Sequence, residues 1–158
     1  MTREVFITQV EREQEALRSF LLALCCGNKS NADDLAQDTL LKAYLSCGGY
    51  EDRGRFRSWL MKIAYNTFLN HKASLRSVES MDEARILVSK TAADSSFEHQ
   101  ELYLALRTLP AKERSAITLF YLSGYSVKEI AAITGTSEDA VKKQLSRGRD
   151  KLKEKLKL

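Results

Sequence analysis

The feature that most constrains the fold is a pair of helix patterns joined by a glycine, at residues 126–152. Ser126 and Glu129 have the spacing of a capping box, which predicts the start of a short helix. Gly135 then ends this helix, since glycine readily adopts the left-handed conformation found just past helix ends. Ser137 offers the N-cap of a new helix two residues later. The pattern therefore predicts a helix-turn-helix.

The second of these helices has one apolar side and one basic side. Val141, Leu145 and Leu152 recur at helical spacing and predict the buried side. The other side carries groups that can reach phosphates and base edges in a major groove: Ser137, Lys142, Lys143, Ser146, Arg147 and Arg149. A solvated basic face on an ordinary amphipathic hairpin would show the same charges, but it would not need the same turn and apolar anchor. The sequence therefore favours a helix that reads duplex DNA.

The composition indicates an all-α protein. The 158 residues include only one proline and seven glycines, and no run alternates apolar and polar residues in the manner of a strand. A hydrophobic content of 44% suffices for one domain or two small ones. No apolar stretch approaches the length of a membrane span, and the N-terminus lacks the pattern of a signal peptide. We therefore expect a cytoplasmic protein with no membrane insertion.

The positive charge is concentrated near the C-terminus. The net charge is +4, whereas residues 101–158 hold twelve Lys or Arg against seven Asp or Glu, a surplus of five. A local basic surplus favours a polyanionic partner. Cys25, Cys26 and Cys47 are odd in number and have no histidine at ligand spacing. We expect buried reduced thiols, with no metal and no cofactor.

The N-terminal part of the chain predicts three helices. Apolar residues at helical spacing indicate the first over residues 3–26, either as one continuous helix or with one break. Asn31 is a candidate N-cap for the second, and residues 47–57 form a glycine-containing loop before the third. Trp59 lies in a broad apolar stripe of the third helix, which indicates a core residue more than a base-stacking one.

The other side of the third helix is polar at its C-terminal end. It carries amide, aromatic and basic groups in the combination that captures single-stranded bases: Tyr65, Asn66, Asn70, His71, Lys72 and Ser74. The ordinary polar C-terminus of a helix would contain the same residue types, so the residues alone leave both interpretations open.

The chain changes composition between its two helical parts. Residues 73–100 are rich in Ser, Ala and acidic side chains, and we interpret them as a flexible linker. A second unit of four helices follows over residues 101–158, with Pro110 at the first position of one helix and Gly124 at its end. The expected architecture is thus two small, separately folded helical domains, a three-to-four-helix bundle over residues 3–72 and a four-helix unit with the helix-turn-helix.

With both parts in place, the chain resembles the extracytoplasmic-function sigma factors of the sigma-70 family of bacterial RNA polymerase. Three stretches carry the resemblance. Residues 32–44 (ADDLAQDTLLKAY) are similar to the family's polymerase-clamp segment, and residues 56–72 (FRSWLMKIAYNTFLNHK) are similar to its minus-10 promoter segment. Residues 109–152 are similar to domain 4, which reads the minus-35 element. The resemblance covers nearly the whole chain and implies domain 2, a linker and domain 4.

The resemblance also implies roles for individual residues. It assigns five residues of the second helix to the polymerase clamp: Asp34, Leu35, Gln37, Asp38 and Lys42. It assigns Asn66, with the following loop through about Ser74, to the pocket for a flipped base of melted minus-10 DNA. It assigns Lys142, Lys143, Ser146 and Arg147 of the last helix to the minus-35 duplex. The implied partners are core RNA polymerase, promoter DNA and an anti-sigma factor. Lys142 and Gln144 stand where members often carry arginine, which implies a different preferred promoter.

Two other functions fit parts of the pattern. A stand-alone helix-turn-helix regulator would use residues 101–158 to bind DNA and the N-terminal part to sense or dimerise. A nucleic-acid enzyme would need a catalytic arrangement, but the sequence shows no glycine-rich phosphate loop, paired carboxylates, Ser/His/Asp set or metal motif. We therefore expect a binding protein that is not an enzyme.

Overall fold

The computed structural model describes residues 1–51, 53–75 and 97–157, with side chains in 1–51, 53–72 and 99–157. This part of the chain is helical and contains no strand, which confirms the all-α prediction. Its seven α-helices are α1 (Arg3–Leu24), α2 (Lys29–Ser46), α3 (Phe56–Leu75), α4 (Phe97–Arg107), α5 (Ala111–Ile117), α6 (Val127–Thr134) and α7 (Glu138–Leu156). A 3-10 turn, Cys47–Gly49, follows α2, and a π-helical segment, Thr118–Leu122, continues α5.

Helices α1, α2 and α3 pack against one another and form the N-terminal core. Helix α1 is unbroken, and its apolar stripe is buried at Phe6, Leu17, Phe20, Leu21 and Leu24, as the helical spacing predicts. Trp59 of α3 stacks on Tyr50 with ring centroids 4.4 Å apart. This packing confirms that Trp59 is part of the N-terminal core.

The N-cap of α2 is Asn28, so the prediction of Asn31 is wrong. Cys26 and Gly27 both have positive φ values, 54° and 87°, and turn the chain sharply after α1. Asn28 is then extended, and its side chain accepts a hydrogen bond from the backbone N–H of Asn31 at 3.1 Å. Because the turn is complete three residues earlier than its composition suggests, the helix begins at Lys29.

The helices on either side of the predicted linker are longer than expected. Helix α3 continues to Leu75 and α4 begins at Phe97, so both extend into the range 73–100. Polar and small residues do not by themselves end a helix, which is why composition misplaced these boundaries. The remainder of the predicted linker, residues 76–96, lies outside the described residues, and so does its predicted flexibility.

Helices α4 to α7 form the C-terminal unit, and the four predicted helices are all present. Pro110 is the N-cap of α5, with ψ at 154°, so α5 begins one residue after the predicted position. Gly124 follows the π-helical segment with φ at 76°, where the sequence predicted a helix end. The π-helical turn itself was not predicted, because no residue pattern distinguishes it from an α-helix.

The two helical units contact each other. Helix α3 packs on α6, and α1 packs on α5 and on the π-helical segment. Arg114 of α5 donates a hydrogen bond from Nη1 to the carbonyl oxygen of Leu24, at the C-terminus of α1, at 2.8 Å. The sequence predicted two separate bodies, and these long-range contacts join them in this structure.

Candidate nucleic-acid and partner interfaces

The helix-turn-helix begins with a complete capping box. The backbone N–H of Glu129 donates to Ser126 Oγ at 3.2 Å, and the N–H of Ser126 donates to Glu129 Oε1 at 3.0 Å. The backbone N–H of Ser126, and after it the Ser126 side chain, stabilise the Glu129 carboxylate and hold its pKa below the ordinary value. Both backbone donors at the start of α6 are thereby satisfied, as the sequence predicted.

The turn of the motif also has the predicted geometry. Gly135 is left-handed, at φ 68° and ψ 34°, and its N–H donates to the carbonyl of Ala131. Ser137 caps α7, since its side chain accepts from the N–H of Ala140 at 3.1 Å. Val141, on the inner side of α7, is fully buried and anchors this helix to the C-terminal unit. The local signals between residues 126 and 141 therefore place the second helix of the motif.

A close helix crossing fixes the other end of α7. A Cβ atom on Gly148 would lie 2.7 Å from Cγ1 of Ile117, so only glycine permits α5 to approach this closely. Lys151 Nζ donates to both carboxylate oxygens of Glu113 at 2.9 and 3.0 Å, and Glu113 is buried. The sequence analysis missed Gly148 and Glu113, because their partners are more than 30 residues distant in the chain.

The predicted DNA-contacting residues divide into three groups. Lys142, Lys143, Ser146 and Arg147 are exposed on one side of α7. Ser137 is exposed at the start of the helix, where its hydroxyl already accepts the capping hydrogen bond. Arg149 lies at the flank of this side, and its Nη1 donates to Tyr121 Oη at 3.1 Å. The structure thus brings four of the six residues together on an open face.

The polar residues at the end of α3 are only partly accessible. Asn66 and Asn70 are exposed, whereas Tyr65 is 3% exposed and packs in the core, where burial raises its pKa. Tyr65 belongs to the buried stripe because it lies one turn from Met61, so the prediction that it offers an open stacking face is wrong for this arrangement. His71 and Lys72 are half-buried, and the side chain of Ser74 lies outside the described residues.

The five residues predicted to meet the polymerase clamp also differ in exposure. Asp34, Gln37 and Asp38 are exposed on α2. Leu35 is 1% exposed, so it supports the helix from the core and is not available for contact. Lys42 is exposed and its Nζ donates to Thr67 Oγ1 of α3 at 3.4 Å. The clamp candidates that are open to a partner are therefore the two acidic residues, Gln37 and the outer part of Lys42.

Two further residues on α2 were missed by the sequence analysis. Leu41 is 58% exposed and Leu45 is 74% exposed, although leucine is usually a core residue. The sequence offers no signal that separates them from the buried Leu35, because α2 has leucines on both sides.

An apolar groove lies between the two helical units. It has a volume of about 590 Å³ and is lined by residues of α1, α4, the π-helical segment and α7. Its apolar lining includes Leu22, Leu102, Leu106, Leu122, Leu152 and Leu156. His99, Arg149 and Lys153 also line it. The groove therefore combines an apolar surface with basic groups from the C-terminal unit.

The three cysteines are free thiols, with Cys47 buried and Cys25 and Cys26 half-buried. Burial raises the pKa of Cys25 to about 12. In the described ranges, no three His, Cys, Asp or Glu side chains are grouped so that they could hold a metal ion. Among the helices that the structure describes, none is both long and apolar enough to span a bilayer.

Comparison with known proteins identifies both units. The family described as Sigma-70 region 2 matches residues 9–78, and the family described as Sigma-70, region 4 matches residues 99–152. The chain is 34% identical to the ECF RNA polymerase sigma factor EcfG of Rhodopseudomonas palustris, across 87% of this chain and 77% of that protein. It is 31% identical to the ECF RNA polymerase sigma factor SigM of Bacillus subtilis, across 85% and 84%.

Solved structures give the same result for the whole described fold. The sigma factor RpoE from Bartonella quintana, crystallised with the anti-sigma factor NepR, superposes with a TM-score of 0.79 at 28% identity, covering 98% of both chains. CnrH, in complex with the cytosolic domain of CnrY, superposes with a TM-score of 0.70 at 27% identity, covering 99% of this chain and 90% of CnrH. The two matched regions, their order and these relatives together show that the chain belongs to the ECF sigma factors of the sigma-70 family.

Proposed function

We propose that this RNA polymerase sigma factor binds core polymerase through α2, presents α7 to the minus-35 duplex and holds melted minus-10 DNA at the polar end of α3. The observation that carries the proposal is the open face of α7 in a fully capped helix-turn-helix, where Lys142, Lys143, Ser146 and Arg147 lie together and exposed. The mechanism is binding, with no bond made or broken in the DNA.

The face of α7 supports duplex recognition. Lysines contact phosphates and set the register of the protein on the DNA, with an affinity that falls as salt rises. Arg147 has the planar donor fork that pairs with a guanine edge, a contact that contributes roughly 1–3 kcal/mol of discrimination. The capping of α7 by Ser137 and its anchoring by Val141 hold these side chains on a rigid element.

The end of α3 supports capture of an unpaired base. Asn66 and Asn70 are exposed and each offers both a donor and an acceptor to a base edge. Extracting a base from the stack costs a few kcal/mol, which contacts to the flipped base offset. Melting would therefore be trapped by binding and would not require ATP.

The contact between the two helical units implies that these units separate when the sigma factor binds a promoter. The minus-35 and minus-10 elements are two separate sites on one promoter, so the units that bind them must be free to lie as far apart as those sites do. The Arg114 to Leu24 hydrogen bond requires the two units to touch. Twenty-one residues separate the described ends of α3 and α4 in the sequence, and any chain of that length can span at most roughly 70 Å. We infer that core polymerase binds the separated arrangement and holds the units at promoter spacing.

An anti-sigma factor would favour the joined arrangement of the two units over the separated one. The relatives RpoE and CnrH were solved as complexes with NepR and CnrY. We propose that an anti-sigma helix occupies the groove of this chain, with apolar side chains against Leu102 and Leu152 and acidic ones towards Arg149 and Lys153. Because the groove uses both units, a ligand there stabilises the joined arrangement and removes sigma from polymerase. This exchange would take place in the cytoplasm, where polymerase and promoter DNA are found.

The division of labour can be tested with two variants of the full chain. Arg147→Ala should reduce transcription from its promoter by roughly 5- to 150-fold, the equivalent of about 1–3 kcal/mol, and leave affinity for core polymerase unchanged. The double variant Gln37→Ala with Asp38→Ala should weaken binding to core polymerase and leave the DNA-contacting face intact. Binding to labelled core polymerase and run-off transcription provide the two readouts.

Lys155→Ala is a matched control, because Lys155 is an exposed basic residue at the far end of α7. It should change transcription much less than Arg147→Ala. If both test variants lose polymerase binding and promoter use in the same proportion, the assignment of separate surfaces is wrong.

A further inference from the structure

The exposed side of α2 contains an apolar pair that the fold does not use. Leu45 is 74% exposed and Leu41 is 58% exposed, one helical turn apart. Leu45 is the most exposed large apolar side chain in the described part of the protein. Exposed leucines that are adjacent on a helix mark a contact surface more often than isolated ones do.

These leucines share one side of α2 with the residues proposed to meet polymerase. At 100° per residue, the side chains on this side fall within an arc of about 100°: Asp34, Gln37, Asp38, Leu41 and Leu45. The buried residues of α2 lie on the opposite side: Ala32, Leu35, Ala36, Thr39 and Ala43. The helix therefore packs on α1 and α3 with one side and leaves a continuous acidic and apolar stripe on the other.

We propose that Leu41 and Leu45 are the apolar anchors of the polymerase-binding surface, seated on a surface of core polymerase that offers an apolar recess beside basic side chains. This inference rests on the proposed function of α2. Charge complementarity specifies the partner, because Asp34 and Asp38 border the leucines on the N-terminal side of the stripe. Continuity of the stripe with Gln37 assigns the leucines to the same contact.

The two kinds of residue would contribute differently to binding. Exposed carboxylates mainly accelerate association and make it sensitive to salt, whereas apolar anchors that become buried mainly slow dissociation. Leu41→Ala and Leu45→Ala should each weaken binding to core polymerase on the order of tenfold, a larger loss than truncation of most interface residues causes. Most of the change should appear as faster dissociation, with little dependence on ionic strength.

The experiment measures association and dissociation of the full-length chain with core polymerase at two salt concentrations. Leu104→Ala is the matched control, since Leu104 is an exposed leucine on α4, 44% exposed, and is far from α2 in the chain. Because all three leucines are exposed, the variants should keep the urea midpoint of wild type. Weaker binding of the two α2 variants alone supports the inference, and unchanged dissociation in both would overturn it.

Two controls separate this inference from the proposed function. If wild type itself does not bind core polymerase, the proposed function fails first. If Gln37→Ala with Asp38→Ala weakens binding while both leucine variants bind as wild type, only the anchor assignment fails. Analytical ultracentrifugation tests for a second copy as the occupant, and self-association lost in Leu45→Ala, with unchanged polymerase binding, would also overturn the assignment.

Discussion

Replacing Arg114 should release the contact between the two helical units. Its guanidinium is buried and donates to the carbonyl of Leu24 at 2.8 Å, Leu106 at 2.9 Å and Leu109 at 3.0 Å, with a longer contact to Arg107 at 3.4 Å. One side chain therefore satisfies carbonyl groups at the C-terminal ends of both α1 and α4. Arg114→Ala removes the side-chain donor from each of these carbonyls, and of them Leu106 keeps the backbone N–H of Leu109 as a donor.

The expected loss of stability follows from these contacts. A hydrogen bond from a charged donor contributes about 1.5–3 kcal/mol, so the three shorter contacts give an upper limit of roughly 5–9 kcal/mol. Burial of the guanidinium opposes this, because the side chain loses its hydration in the folded state. The alanine variant avoids that cost, and waters reach some of the vacated carbonyls. We expect Arg114→Ala to lower the free energy of unfolding by about 3 kcal/mol.

Urea unfolding followed by circular dichroism measures this loss. Arg114→Lys should lose less than the alanine variant, because an ammonium group can still donate to one or two of the carbonyls. Arg147→Ala is the control, since Arg147 is exposed and should change stability by no more than about 0.5 kcal/mol. Fluorescence energy transfer between labels on the two units should also report a larger separation in Arg114→Ala. A loss below about 1 kcal/mol, or no change in separation, would refute the reasoning.

Two further predictions concern the helix crossing and the Cys25 thiol. Gly148→Ala should destabilise the chain by about 1–2 kcal/mol in urea unfolding, because overpacking against Ile117 outweighs the better helix propensity of alanine. In the double variant, Ile117→Ala should relieve part of the loss that Gly148→Ala causes, and additive losses from the two substitutions would contradict the close crossing. Gly49→Ala is the control and should be neutral, because no atom lies near the position of its Cβ. Burial raises the pKa of Cys25 from about 9 to about 12, so the unfolded chain loses this proton first and stability should fall as pH rises from about 9 to 12. Thermal unfolding should show a shallower fall for Cys25→Ala, and an identical pH profile would contradict the burial argument.

The helix-turn-helix could be predicted because its determinants are local. Ser126, Glu129, Gly135 and Ser137 lie within twelve residues, and each acts on backbone groups two to four positions away. Such short-range hydrogen bonds leave a clear pattern in the sequence. The motif and its exposed basic face therefore agreed closely with the structure.

Features that depend on distant contacts could not be predicted in the same way. The carbonyl of Leu24 meets Arg114 across 90 residues, and nothing near either residue indicates the pairing. The side of α2 that is buried also depends on where α1 and α3 pack, so the exposure of Leu41 and Leu45 was not apparent. Tyr65 illustrates the opposite error, since a side chain suited to base stacking is used in the core.

Run-off transcription on genomic fragments with purified core polymerase tests the central claim most directly. We predict discrete transcripts that require both the polymerase and this sigma factor, starting downstream of a shared pair of sequence elements. Failure of the chain to associate with core polymerase, or association without a transcript from any fragment, would contradict the account. Tight sequence-specific duplex binding by the protein alone, with no effect on polymerase, would indicate a stand-alone regulator.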